Sequence, residues 1–107
     1  MQESQLRKGV LDLAVMLVLH RGESYGYELN QSLAAAGFAD LGDATIYGTL
    51  RRMEQAGWLR SRLVASNDGP ARKYHALTPE GERQMQETME RWNDLVAAMQ
   101  SLSKDPK

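Results

Sequence analysis

Residues 43–54 read Asp-Ala-Thr-Ile-Tyr-Gly-Thr-Leu-Arg-Arg-Met-Glu, and this stretch decides the fold. At 3.6 residues per turn, Ile46, Leu50 and Met53 fall on one face, which is the spacing of a helix packed on a core. The opposite face carries small residues and hydroxyls near its start and two guanidinium groups near its end. This pattern is typical of a helix that enters the DNA major groove, although an ordinary solvated amphipathic helix would also fit it.

Gly48 lies on the polar face of this helix. A glycine in the middle of a helix costs about 1 kcal/mol relative to alanine, and no core packing explains it on that face. A bare backbone lets another surface, such as a sugar-phosphate strand, approach closely. Gly48 therefore favours a helix that meets a partner.

The composition is that of a single globular domain. The 107 residues are 42% hydrophobic and 25% charged, which argues against disorder, and the chain has no cysteine for disulfides or thiolate metal sites. The apolar run from Val10 to Leu19 is interrupted by Asp12 and is about half as long as a membrane span. We therefore expect a cytoplasmic protein without a cleaved signal and without a membrane partner.

The net charge of -1 conceals an uneven distribution. Residues 51–73 contain six basic and two acidic residues, whereas residues 1–50 and 74–107 have net charges of -3 and -2. A basic centre in an acidic chain indicates a face that binds an anion, and nucleic acid is the first candidate.

Two helices are expected before residue 43. The run from Val10 to Leu19 reads as a helix that extends back to Gln5 and ends at Gly22, because it is rich in Leu, Met and Ala. It is apolar nearly all round, which points to cover from a partner chain. Ser24 is expected to cap a second helix from Tyr25 to Ala36. Asp43 should cap the third, completing a helix-turn-helix.

A β-hairpin is expected after Gly57. Residues 59–64 and 72–77 read as short strands, and Asn67-Asp68-Gly69-Pro70 between them is a strong turn signal. Four basic residues lie in this hairpin, where they would position the protein on a phosphate backbone. The alternative is a solvated hairpin edge blunted by charge.

A last helix is expected from Thr78-Pro79-Glu80, which supplies a cap, a first-turn proline and an acid at the positive end of the helix dipole. Apolar residues then recur at spacings of four and three, as in a coiled-coil seam: Met85, Met89, Trp92, Val96 and Met99. We expect this seam to pair with a second copy of the chain.

The expected fold is mainly α with a small β-hairpin, a winged helix-turn-helix plus a C-terminal dimerisation helix. Residues 1–77 would form the DNA-binding domain, with the N-terminal helix also in the dimer interface. Residues 78–107 would form the dimerisation helix and a tail that frays from residue 104.

Three motifs also form a recognisable set. They are Tyr25-Gly26-Tyr27-Glu28-Leu29, then Thr45-Ile46-Tyr47 with Leu50-Arg51-Arg52-Met53-Glu54, then Gly69-Pro70-Ala71-Arg72-Lys73-Tyr74 leading into Leu77-Thr78. In order and separation they resemble the PadR-type transcriptional regulators over residues 6–83, and the single last helix is similar to the short subgroup. The resemblance implies a winged-helix homodimer, mostly a repressor, that binds palindromic operators and is released by small phenolic, drug-like or other ligands.

Two positions depart from the pattern of that family. Gly48 stands where the family often has proline, a difference that bears on local helix geometry and base contacts. His75 stands where the family often has a second tyrosine after the Lys-Tyr of the wing, a difference that bears on the packing of the wing.

The candidate DNA contacts lie in the helix-turn-helix and the wing. They are Tyr25, Tyr27, Thr45, Tyr47, Thr49, Arg51, Arg52, Arg72 and Lys73. Two alternatives stay open: Tyr27 and Tyr47 as core rings with a hydroxyl at the surface, and one arginine paired with Glu54 or Glu28.

The candidate ligand site lies on the seam at Trp92, with Met89 and Val96 beside it. A tryptophan among methionines offers a flat polarisable wall to a planar aromatic or phenolic effector at the dimer interface. In some short PadR-like regulators, a tryptophan at this place resembles a stacking plate. The alternative is that Trp92 is only a large interface anchor.

No catalytic, cofactor or metal site is expected. The two histidines, His20 and His75, have neither a Cys nor a His/carboxylate metal spacing around them, and there is no glycine-rich phosphate loop. We therefore predict that the chain is not an enzyme. The remaining alternative to a DNA-binding regulator is a winged helix that binds a protein partner or a small aromatic ligand.

Overall fold

Four helices and a small antiparallel sheet make up the part of the chain that the structure, a computed structural model, describes. This part comprises residues 3–38 and 41–104, with side chains described from residue 10 onward. The elements are α1 (Glu3–Arg21), β1 (Ser24–Tyr25), α2 (Gly26–Ala35), α3 (Asp43–Gln55), β2 (Leu59–Ser66), β3 (Gly69–Leu77) and α4 (Pro79–Ser103). The expected winged helix-turn-helix with a C-terminal helix is confirmed. Residues 105–107 of the expected tail lie outside the described residues.

The core forms where α3 lies against α1 and α2. Ile46, Leu50 and Met53 are at most 1% exposed, as the periodicity of α3 predicts. They pack with apolar residues of the first two helices, among them Met16 and Leu29, which are equally buried. Each such side chain contributes about 1.5–3 kcal/mol through burial.

Helix α1 is covered largely by its own chain. Leu11, Leu13, Val15, Met16 and Leu19 are buried, and the residues between them are partly buried. The covering elements are α2, α4 and β3. The nearly all-apolar surface of α1 therefore finds most of its cover within one chain.

Both predicted caps in the helix-turn-helix are wrong. Ser24 is not the cap of α2, because it belongs to the two-residue strand β1, where it pairs with His75 of β3. Tyr25 takes the N-cap position of α2 without a side-chain bond. Gly42 caps α3, and Asp43 is its first residue, where its carboxylate still faces the positive end of the helix.

The sheet has the strand order β1-β3-β2. Asn67 and Asp68 alone form the hairpin turn, because Ser66 pairs with Gly69 and β3 begins there rather than at Arg72. The register shifts between Val64 and Ser66. Sequence patterning missed β1, because two residues are too short a run to show an alternation.

Helix α4 begins as predicted. The hydroxyl of Thr78 accepts a hydrogen bond from the backbone N–H of Gly81 at 3.0 Å and donates to the carbonyl of Gly57 at 2.7 Å. Gly81 is required here, since an added Cβ would lie 2.1 Å from the carbonyl oxygen of Trp58. These contacts fix the N-terminus of α4 on the winged helix.

The apolar seam of α4 divides into two parts. Met85 is buried and Met89 packs against the core of the same chain. Farther along, the seam and its flank become exposed: Trp92 is 38% exposed, Leu95 52%, Met99 59% and Leu102 81%. Only this second part remains for a partner.

Among the residues that the structure describes, none of the helices has the length and apolar character that a bilayer crossing requires.

Candidate nucleic-acid interface

The outward face of α3 is open along its length. Ala44, Gly48 and Arg51 are exposed, and nothing lies within 4 Å of where a Cβ on Gly48 would be. Arg51 makes no hydrogen bond or ion pair with the described residues. This face therefore combines a free guanidinium with a bare stretch of backbone.

The structure does not bring Thr49 to this face. Its side chain is only 7% exposed, because it lies between Ile46 and Leu50 on the turn that packs against the core. Thr49 offers little surface to DNA in this arrangement, and we leave it out of the interface.

Arg52 points away from Arg51 and binds α1. Its two terminal nitrogens donate to the carboxylate oxygens of Asp12 at 2.9 and 2.6 Å, and this pairing raises the pKa of Arg52. The alternative that one arginine pairs with Glu54 or Glu28 is not observed among the described residues, because Arg52 binds Asp12 instead. About half of the Arg52 side chain stays exposed, so an ion pair of this kind contributes no more than about 1 kcal/mol.

The exposed tyrosines are not core rings. Tyr27 is 62% exposed and Tyr47 is 51% exposed. The hydroxyl of Tyr27 accepts a hydrogen bond from Nε2 of Gln31 at 2.9 Å. Tyr47 leans over the start of α2, which is possible because residue 26 is glycine: a Cβ there would lie 2.7 Å from the ring.

Tyr25 joins the wing to the helix-turn-helix. Its ring stacks on Tyr27 with centroids 6.4 Å apart and meets Tyr74 at 5.2 Å. The guanidinium carbon of Arg72 lies 4.7 Å from the centroid of Tyr25, which is a cation–π distance. Arg72 is thus held at the surface by aromatic packing, and its N–H groups have no hydrogen-bond partner among the described residues.

The other basic residues of the wing differ in how they are paired. Lys73 lies 3.4 Å from Glu54, and Arg62 binds Glu23 and lies 5.9 Å from the ring of Tyr74. The Arg62 bond lowers the pKa of Glu23. A hydrogen bond from Ser61, with a smaller effect of Lys73, lowers the pKa of Glu54.

A groove of about 470 Å³ separates α3 from the wing, and we call it the wing groove. Six of the predicted DNA residues line it: Tyr25, Tyr27, Tyr47, Arg51, Arg72 and Lys73. Thr45 and Arg52 lie elsewhere, on the side of α3 that faces α1 and α4. Sequence reasoning did not place the other four lining residues in the interface: Gly26, Glu54, Ala71 and His75.

His75 lies in the wall of the wing groove and is only 5% exposed. Its Nδ1 is buried without a hydrogen-bond partner in the described part of the chain. Burial lowers the pKa of His75, and the charge of Lys73 adds to this effect while Glu54 opposes it. His75 lies opposite Ser61, which binds Glu54 of α3, so it belongs to the strand face that meets α3. The burial pattern of β3 does not alternate, so the sequence carried little signal for this position.

A second groove, of about 530 Å³, lies between α1 and α4 and is largely apolar. We call it the α1–α4 groove. Trp92 and Trp58 line it together with Thr45 and Arg52 of α3. Of the three predicted ligand residues, Trp92 alone lines it, because Met89 packs against the core and Val96 lies farther along the helix.

One family model and several solved structures match this chain. The model of the transcriptional regulator PadR-like family matches residues 15–87. A Streptococcus transcriptional regulator is 39% identical, with a TM-score of 0.84 over 95% of this chain and 100% of its own. A PadR-like transcriptional regulator from Bacillus cereus is 33% identical, with a TM-score of 0.85 over 94% of this chain and 98% of its own.

A more distant structure is Bacillus subtilis PadR in complex with operator DNA. It is 22% identical, with a TM-score of 0.68 over 75% of this chain and 46% of its own, and it supports the fold alone. The closer relatives are transcriptional regulators. With the family model covering most of the winged helix, the chain belongs to the PadR-like family of transcriptional regulators.

Proposed function

We propose that this regulator is a sequence-specific DNA-binding repressor, which acts as a homodimer on a palindromic operator and responds to a small planar ligand. The main support for this proposal is that the exposed face of α3 lies beside a cationic groove. The face presents Gly48 and Arg51, which has no partner in the described part of the chain, and the wing supplies Arg72 and Lys73 across the groove.

The two sides of the wing groove fit different parts of a duplex. An α-helix fits the major groove, where an arginine such as Arg51 binds a guanine through two hydrogen bonds. Cations on a neighbouring hairpin bind phosphates, which fixes orientation without reading sequence. Arg72 and Lys73 suit the second task, and Arg51 suits the first.

The exposed part of α4 supports a homodimer. This part of α4 carries an exposed apolar edge made of Trp92, Leu95, Met99 and Leu102. The molecule is elongated and measures 63 × 29 × 20 Å. An apolar patch of this kind marks an interaction surface, and isologous pairing is the commonest way to cover it. Paired α4 helices would set the distance between two α3 helices, which must match half-sites about one DNA turn apart.

The α1–α4 groove is our candidate effector site. Trp92 offers a flat wall to a planar aromatic or phenolic molecule, and Thr45 and Arg52 bring α3 into the same groove. A ligand there would touch α4 and α3 together, and so favour one separation of the recognition helices over another. The alternative, in which Trp92 only anchors the dimer, predicts no such ligand effect.

A gel shift with DNA from the promoter region of the transcription unit of this chain tests the proposal. We expect a shift that weakens steeply with salt, by a protein that sedimentation shows to be a dimer. Scrambled DNA of equal length is the control. A monomer, or equal binding to scrambled DNA, would count against a sequence-specific dimer, and no DNA binding at all would favour a protein-binding module.

A further inference from the structure

We propose that the wing groove holds one phosphate group of the DNA backbone, and that His75 donates a hydrogen bond to it from Nε2. This deepens the proposed function and rests on it, because the phosphate belongs to bound DNA. Arg51, Arg72 and Lys73 are the cations of this phosphate site.

The start of α2 gives the phosphate site a fixed positive end. Gly26 is the first residue of this ten-residue helix and lies in the wall of the wing groove. Because Tyr25 makes no side-chain capping bond, the first-turn N–H groups lack that partner. The N-terminus of a helix in this state favours a phosphate through its N–H groups and its dipole.

The burial and hydrogen bonding of His75 indicate a ligand independently of the helix N-terminus. His75 is almost completely buried, yet none of its nitrogens is hydrogen-bonded within the described residues. Nδ1 is enclosed, and an enclosed N–H without an acceptor is rarely tolerated, so we assign the proton of the neutral ring to Nε2. Nε2 is not enclosed, and His75 lines the wing groove, so this N–H is available to an oxyanion.

The charges around His75 favour an anion in the groove. Lys73 on β3 and Glu54 on α3 act on the ring, and β1 and β2 place Ser24 and Ser61 opposite it. Glu54 is the only carboxylate among the described residues that line the groove, and Ser61 and Lys73 already bind it. Three cations therefore face one engaged carboxylate, which leaves a net positive site.

The position of the groove identifies DNA as the source of the phosphate. It opens between α3 and the wing. A backbone strand that runs between a helix in the major groove and a hairpin beside it must pass this point. Tyr47 leans over the groove from the α3 side and places a hydroxyl near the same path.

Proton NMR titration of the two histidines in the intact dimer tests the contact directly. The pKa of His75 is low in the free protein because of burial, and a bound phosphate must raise it. We expect operator DNA to raise the pKa of His75 by about one unit. The ring signals of His20, which pairs with Glu82 outside the wing groove, serve as the reference. An unchanged His75 pKa in a protein that still binds its operator would overturn the inference and leave the proposed function intact.

A scan with methylphosphonate linkages, which remove the charge of one phosphate at a time, locates the partner. We expect one linkage in each half-site to weaken binding roughly tenfold for the natural protein and clearly less for His75→Phe. Leu63→Ala, an exposed position of β2 outside the groove, is the matched control and should keep the full effect. If no linkage is coupled to residue 75, the inference fails.

Inorganic phosphate separates the two possible sources of the anion. As a free probe it should bind the wing groove weakly, shift His75 in the same direction as DNA and compete with operator binding. If it binds tightly and operator DNA still binds alongside it, the groove is a site for a free anion and not for the DNA backbone.

Discussion

Arg51 and Arg52 are consecutive in the sequence and line different grooves. Arg51 lies in the cationic wing groove without a partner in the described chain, whereas Arg52 lies in the apolar α1–α4 groove, bound to Asp12. Successive residues of a helix are about 100° apart, so one helix can serve two surfaces at once. The difference teaches that like residues in one motif need not share a role.

The two grooves differ in the chemistry they offer. The wing groove combines cations, phenols and an imidazole, which suits an oxyanion. The α1–α4 groove has tryptophan and leucine walls with the Arg52–Asp12 pair at its α3 side, which suits a planar apolar molecule. Since α3 forms part of both walls, a ligand in one groove and DNA at the other would act on the same helix.

The largest expected effect separates the two arginines. Arg51→Ala should weaken operator binding by roughly 10- to 100-fold, because a base contact through two hydrogen bonds is worth about 1–3 kcal/mol. Arg52→Ala should weaken it far less and instead lower the free energy of unfolding by about 1 kcal/mol or less, through loss of the Asp12 pair. Titration of labelled operator measures the affinity of each variant, and urea unfolding measures its stability. Equal losses of affinity in the two variants would show that the two grooves do not differ in DNA binding.

The wing should govern the salt dependence of binding. Arg72→Ala combined with Lys73→Ala removes two phosphate contacts and should reduce the slope of log K against log salt by about 2. Arg83→Ala combined with Arg91→Ala removes the same charge from α4 and serves as the control. An unchanged slope in the wing variant would reject a phosphate role for these two residues.

Trp92 should decide ligand binding in the α1–α4 groove. With 2-naphthol as a flat phenolic probe, Trp92→Ala should lower affinity by roughly 3- to 10-fold, through loss of about 0.5–1.5 kcal/mol of ring contact. Leu102→Ala, exposed on the same helix but outside the groove, should retain affinity in calorimetry. If Trp92→Ala dissociates the dimer but leaves the affinity for 2-naphthol unchanged, Trp92 is an interface anchor only.

The smallest expected effect is on stability at mildly acid pH. Because burial lowers the pKa of His75 from 6.5, the unfolded chain binds more protons than the folded chain between that value and the folded pKa. The free energy of unfolding should therefore fall as the pH drops through this window. His75→Phe should flatten the fall in urea unfolding at about pH 5 to 7.5, whereas Leu63→Ala, which removes no titratable group, should not.

Much of the fold could be predicted from local sequence patterns. The core face of α3, the turn at Asn67-Asp68 and the cap at Thr78 each depend on residues within a few positions of one another. Apolar spacing, turn residues and capping residues are local signals, and they do not depend on tertiary contacts. The wrong caps at Ser24 and Asp43 show where a local rule yields to a strand pairing or shifts by one residue.

The sequence by itself determined the winged helix, the basic centre of the chain and the family motifs, because these are properties of contiguous segments. Which of the two arginines has no partner among the described residues depends on tertiary contacts, since the Asp12 that binds Arg52 is 40 residues away. The tertiary structure also decided that His75 lines a groove without a hydrogen-bond partner in the described chain, and that Thr49 is buried. Contacts between distant residues depend on how whole elements pack, and no local periodicity encodes that arrangement.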